Sequence, residues 1–221
     1  MKNVHRATIT VTSIMGIIAG VAGIEHGIGE LLQGNIRPQH IVFASWPESR
    51  LFDIMAGEPA MSLIPNMLIS GIITILLAVY VIYWAARRMG QKNGGPVLIG
   101  LSVMLLLVGG GFGPPLLGII LGTVSIFFHR QQTKPNRQQP DGFSLKVGQS
   151  WKIIFGFTLC FWLFLFPILP GLKLFFIIQN EQLVSITTLL AFTFLGLSIF
   201  SAGVSDRIRQ QSNPEIYQAQ S

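Results

Sequence analysis

The chain has 221 residues, of which 50% are hydrophobic and 11% charged, with a formal net charge of +6. Soluble domains carry about a quarter charged residues, so this deficit and the long apolar runs exclude an ordinary soluble domain and point to a membrane protein. The single cysteine, Cys160, excludes an intrachain disulfide, a CxxC redox pair and a cysteine-based zinc site, and the basic residues fall where topology signals fall rather than in a nucleic-acid patch.

The first apolar run covers roughly Ala7 to Ile24 and extends into GIEHGIGE, residues 23–30. Lys2 and Arg6 precede it, and Gly20-Val21-Ala22 is a passable signal-peptide cleavage site. The run stays apolar past that point, which suits a retained helix. Gly16, Gly20, Gly23 and Gly27 recur at spacings of four, three and four and line one face. Small residues so spaced let another helix approach closely. His26 and Glu30 lie beside this glycine face, while Glu25 is predicted on the far side, about 180° from Gly20. Glu25 is far enough along the helix to lie near the outer interface. The trio either ends the helix at the headgroup level or forms a functional site at the outer mouth of the bundle.

The outer loop, Leu31 to Ala60, holds His40, Trp46, Pro47, Glu48, Arg50, Asp53 and Glu58. ESRLFDIMAGE reads as a short amphipathic helix lying on the interface or folding over the bundle as a lid. Glu58 precedes the second helix, whose N-terminus its charge would favour. The candidate ligand-binding residues are Glu25, His26, Glu30 and Glu58. His26, Glu30, His40, Asp53 and Glu58 are also ligand types for a divalent ion. They are scattered without an HxxxH or HExxH spacing, so the sequence leaves the metal unknown.

The second run is roughly Met61 to Ala86, closed by Arg87, Arg88 and Lys92 behind an aromatic belt of Tyr80, Tyr83 and Trp84. The next, Pro96 to Phe128, is broken by GGGFGPP, residues 109–115. Basic loops flank this stretch on both ends, so it must enter and leave from the same side. Pro96 to Gly111 as helix rises about 24 Å, short for a hydrocarbon core of about 30 Å. The stretch is therefore a hairpin of two short spanning helices or a re-entrant pair, and the hairpin is the commoner solution.

A polar linker is predicted over 129–150, then a fifth run, Trp151 to Leu169, rich in aromatics and closed by Pro167 and Pro170. The sixth run is Leu183 to Val204, followed from Gln210 by a disordered tail. This partition puts 12 of the 15 basic residues on one side, leaving only Arg37, Arg50 and Lys173 opposite. The positive-inside rule makes that side cytoplasmic. The expected fold is an all-α polytopic bundle of six crossings, one domain over 1–209, with both termini in the cytoplasm.

The combination GIEHGIGELLQGN, GEPAMSLIPN and LLLVGGGFGPP resembles a group of small bacterial integral membrane proteins of unknown function. The resemblance covers roughly the first 130 residues. It implies a bacterial plasma-membrane setting and carries no activity, ligand or cofactor with it.

Three function classes are open. The first is binding or transport of a small solute or ion at the outer mouth. The second is an accessory subunit whose glycine face docks a second copy or another membrane protein. The third is a membrane enzyme using Glu25, His26 or Glu30 as acid or base, ranked last because no nucleophile, metal motif or phosphate loop supports it. No cofactor is identified and no nucleic-acid partner is expected.

Overall fold

In a bilayer every backbone polar group must be satisfied within the protein, so apolar runs fold as helices. The computed structural model describes residues 6–52, 56–132, 141–175 and 181–212. In chain order these form α1 (Ala7–Gln33), β1 (Val42–Ala44), β2 (Pro59–Met61), α2 (Met67–Arg88), α3 (Gly94–Leu107) and α4 (Gly113–Gln132). α5 (Gly142–Gln149), α6 (Trp151–Leu163), a π-helical turn (Phe164–Ile168), α7 (Leu169–Phe175) and α8 (Glu181–Ser212) follow. Three helices, α1, α2 and α8, are long and apolar enough to cross a membrane, and a fourth span exists if α5 and α6, bent by 44°, count as one. α3 has 14 residues and rises about 21 Å, less than a hydrocarbon core.

α1 lies along α2 on its glycine face. Gly16 meets Ala85, Gly20 meets Ala78 and Ile82, and Gly27 meets Gly71 and Ile75. Lipid tails are as apolar as leucine, so packing rather than water exclusion joins such helices, and small residues allow the closest packing. The face predicted to receive a neighbouring helix is filled by α2 of the same chain. A second copy or a membrane partner finds it already covered.

The α3–α4 hairpin closes through a similar approach, Gly95 against Gly122 and Ser102 against Gly118. Its α4 arm packs on α1 and its α3 arm on α2, while α8 packs on α6, α5 and α1. Met15, Val81, Leu98, Leu121, Trp162 and Leu195 belong to the one buried cluster these helices share.

The start of α1 meets the last turns of α8. A helix leaves its first N–H groups without internal partners, and the side chain of Arg6, at the cap position of α1, does not cap them. Asp206 of α8 supplies the cap instead. Its carboxylate accepts from the Ala7 N–H at 2.7 Å and from the Thr8 N–H at 2.9 Å, where the helix dipole also favours negative charge.

Several sequence expectations are corrected. The fold is mostly helical, as expected, and the loop after α1 adds a two-stranded antiparallel hairpin that the sequence does not predict, Val42 opposite Met61 and Ala44 opposite Pro59. α1 extends to Gln33, so all of GIEHGIGE is helical, and it stops at Gly34 with φ +82°. The expected helix in ESRLFDIMAGE does not form among its described residues, which make turns; Asp53, Ile54 and Met55 lie outside the described residues. Glu48, Ala56 and Glu58 have positive φ, a conformation no right-handed helix contains.

The predicted linker 129–150 contains α5, whose N-cap Asp141 accepts from the Ser144 N–H at 3.0 Å. Pro167 and Pro170 do not close the fifth helix. The π-helical turn absorbs the backbone that Pro167, lacking an N–H, cannot bond, and the helix runs on to Phe175. α8 reaches Ser212, so the first residues of the predicted tail are helical; 213–221 lie outside the described residues.

Candidate functional site

The last two turns of α1 carry Glu25, His26 and Glu30, and the β hairpin folds down onto them. Gln33, one turn later, holds the hairpin by donating from Nε2 to the Ser45 carbonyl at 2.9 Å and the Ala44 carbonyl at 3.2 Å. Gly29 lets Trp46 lie flat on the helix, since a Cβ there would meet the indole at 2.8 Å. Phe52 stacks on Trp46 with ring centroids 5.0 Å apart. Under this cover His26 is 1% exposed, Glu58 8% and Glu30 0%.

His26 is held at both ring nitrogens. Nδ1 lies 2.9 Å from Ser45 Oγ, and Nε2 lies 3.1 Å from Glu58 Oε2. Glu25 joins this pair, and ligand atoms of Glu25, His26 and Glu58 all fall within 4.8 Å of one another. Trp46 lies beside Glu25, yet its indole nitrogen and Glu25 Oε1 are both buried without a hydrogen-bond partner.

Glu58 reaches His26 from a left-handed backbone, φ +56°. For a residue with a Cβ this costs about 1–3 kcal/mol and persists only where the surroundings enforce it. Here the enforcement is the hairpin itself. The Ser45 N–H donates to the Glu58 carbonyl at 3.0 Å, and the Trp46 N–H to the Gly57 carbonyl at 2.9 Å.

The second wall is GGGFGPP. It forms the turn between α3 and α4, with Pro114 and Pro115 in the first turn of α4, where missing N–H groups leave no bond unmade. Gly109 and Gly111 have φ +113° and +72°. A Cβ at Gly109 would collide with the Glu30 carboxyl, and one at Gly111 with His26 Nε2. Glycine is required at both positions for the backbone and for the approach. Ser70 and Thr74 of α2 anchor the turn, each donating to the Val108 carbonyl at 2.6 Å. The Ser70 hydroxyl lies beside the Glu30 carboxyl, but it donates to the Val108 carbonyl, and neither oxygen of Glu30 has a hydrogen-bond partner of good geometry.

GIEHGIGE and GGGFGPP lie far apart in the sequence, and the structure brings them together. It also brings Glu25 to His26, although the helical wheel pointed Glu25 elsewhere. The wheel places Cα atoms, whereas a glutamate reaches sideways, and the hairpin adds Glu58 from above. Glu58 does not serve the N-terminus of α2. Strand β2 intervenes, and Asn66 is the cap, accepting from the Ile69 N–H at 3.0 Å. His40 is exposed on the loop, outside the cluster, and Asp53 lies outside the described residues.

Ser45, Gln33 and Trp46 were missed as site residues. Their only sequence signal is nearness to GIEHGIGE, with Gln33 one turn after it on α1 and Ser45 and Trp46 in the loop that follows. Ser45, His26 and Glu58 together have the order of a hydrolytic triad, with the ring nitrogens exchanged. Ser45 is 0% exposed, so its hydroxyl offers a substrate no approach and acts to fix the imidazole. Comparison with protein-family models, curated proteins and solved structures returns no match.

Proposed function

We propose that this chain is an integral membrane protein that binds or transports a small solute or ion, with the site at the outer mouth of its helical bundle. Glu25, His26, Glu30 and Glu58 are its binding groups. The observation that carries the reading is Glu30, a carboxyl with no exposed surface and no hydrogen-bond partner near the end of an apolar helix. Burying such a group costs several kcal/mol when it is charged and unpaired. Ionisable groups kept inside a membrane protein mark ligand, ion or proton sites.

The topology belongs to the same proposal. Six crossings comprise α1, α2, the short α3–α4 hairpin, the bent α5–α6 helix continued through α7, and α8, with both termini cytoplasmic. The charge distribution supports it, with 12 of 15 basic residues on one side. So does the bond that brings the end of α8 to the start of α1. A bacterial plasma membrane is the setting suggested by the resemblance of its three motifs. A second copy or a membrane partner would dock on a surface other than the Gly16–Gly27 face, which α2 occupies.

The test compares wild type and Glu30→Gln, purified in mild detergent, for co-purifying small molecules and elements by mass spectrometry. A species present in the wild type and missing from the folded variant is the expected result. Identical inventories would sink the reading.

A further inference from the structure

Building on the outer-mouth site just proposed, we infer that Glu25, His26 and Glu58 hold a divalent d-block cation of the zinc type and leave one coordination position open. Three observations carry the inference.

The first is ligand chemistry. One imidazole nitrogen and two carboxylates, with ligand atoms within 4.8 Å of one another, suit zinc and its first-row neighbours. Calcium and magnesium take oxygen ligands. Three protein ligands leave the fourth tetrahedral position for water or for a bound solute.

The second is the orientation of His26. Metal-bound histidines donate from the other ring nitrogen to a fixed acceptor. Ser45 Oγ stands 2.9 Å from Nδ1 and makes no other side-chain bond described here. With Nδ1 donating, the Nε2 lone pair faces Glu58 Oε2 at 3.1 Å. In that tautomer both atoms present lone pairs, at a separation that two ligands of one cation can adopt.

The third is charge. Glu25, Glu58 and Glu30 gather around one imidazole, and among the described residues none of the three forms an ion pair with a lysine or arginine. Glu30 is fully buried, has no partner at either oxygen, and abuts the same Gly109–Gly111 turn as His26 Nε2. Burial disfavours the charged form of these carboxyls when they stand without a cation. A dication supplies the missing positive charge, and Glu30 strengthens its binding from the next helical turn without ligating it.

The test uses the full chain in mild detergent, stripped with a chelator and titrated with cobalt(II) alone. Four-coordinate cobalt gives intense visible bands, whereas hydrated cobalt is nearly colourless. The expected result is saturation at about one equivalent, with the bands bleached by zinc(II). His26→Gln and Glu58→Gln should weaken cobalt binding by at least about tenfold, while Ser45→Ala keeps the bands and loses about 10–100-fold in affinity.

Absence of the bands in wild type overturns the inference without recourse to any variant. So do bands that persist at full affinity in both His26→Gln and Glu58→Gln. If cobalt does not bind while Glu30→Gln still loses a co-purifying species, the metal falls and the outer site stands. If cobalt binds through His26 while the inventory ignores Glu30→Gln, the solute reading falls and the metal stands.

Discussion

The Glu30 carboxyl rests directly on the Gly109 backbone, with no side chain between α1 and the tip of the α3–α4 hairpin. Gly109→Ala would place a methyl group on those oxygens at a φ that L-residues rarely adopt. The expected cost exceeds about 1 kcal/mol, read as a lower unfolding temperature in detergent. Gly100→Ala is the control: its Cβ would meet nothing within 4 Å, and alanine is favoured over glycine in a helix by about 1 kcal/mol. Equal melting of the two variants would mean that the turn does not sit on Glu30.

The contact of Gly20 with Ala78 and Ile82 makes the glycine face an internal seam. Gly20→Leu should therefore cost the chain its own fold, by about 1–3 kcal/mol or more, and reduce the monodisperse fraction on size exclusion. Gly196→Leu on α8, where a Cβ meets nothing within 4 Å, should behave as wild type. A well-folded Gly20→Leu protein that had only lost a binding partner would contradict the packing described.

Burial of Ser45 separates a positioning hydroxyl from a nucleophile. A serine-directed fluorophosphonate should leave Ser45 unlabelled, and Ser45→Ala should cost about 1 kcal/mol, the usual worth of one hydrogen bond. Labelling at Ser45, detected by peptide mapping, would make it a nucleophile and contradict the positioning role.

Asp141 gives a prediction in pH. Hydrogen bonds from the Ser144 side chain and backbone hold its carboxyl below the usual carboxylate range. A lowered folded-state pKa means that the cap stabilises α5 above the ordinary carboxylate value and is lost as pH falls through the depressed one. Hydrogen exchange in Gly142–Gln149 should rise in acid for wild type. In Asp141→Ala it should already be high at neutral pH, with little further change on acidification.

The long helices were legible because lipid leaves an apolar chain few options, and the spacing of Gly16, Gly20, Gly23 and Gly27 announced close packing. Which helix would fill that face was not legible, since Ala78 and Gly71 carry no mark that singles out α2. The outer loop misled for a local reason. ESRLFDIMAGE has the apolar spacing of a helix, but Glu48, Ala56 and Glu58 adopt left-handed backbones that only the folded hairpin enforces. The meeting of Glu30 with Gly109 was beyond reach for a different reason. A free carboxyl and a flexible turn, 79 positions apart in the sequence, share no pattern that period or composition could reveal. The π-helical turn at Phe164–Ile168 shows the same limit, because a proline reads as a stop until neighbouring helices pack its unbonded backbone.

The cap that Asp206 places on α1 has a consequence for synthesis. A chain made from its N-terminus begins α1 199 residues before the side chain that closes its first turn exists. Until the last turns of α8 are made, the Ala7 and Thr8 N–H groups lack the acceptor they have in the finished fold. The closure of α1 therefore waits for α8, and it ties together two helices that lie far apart in the sequence.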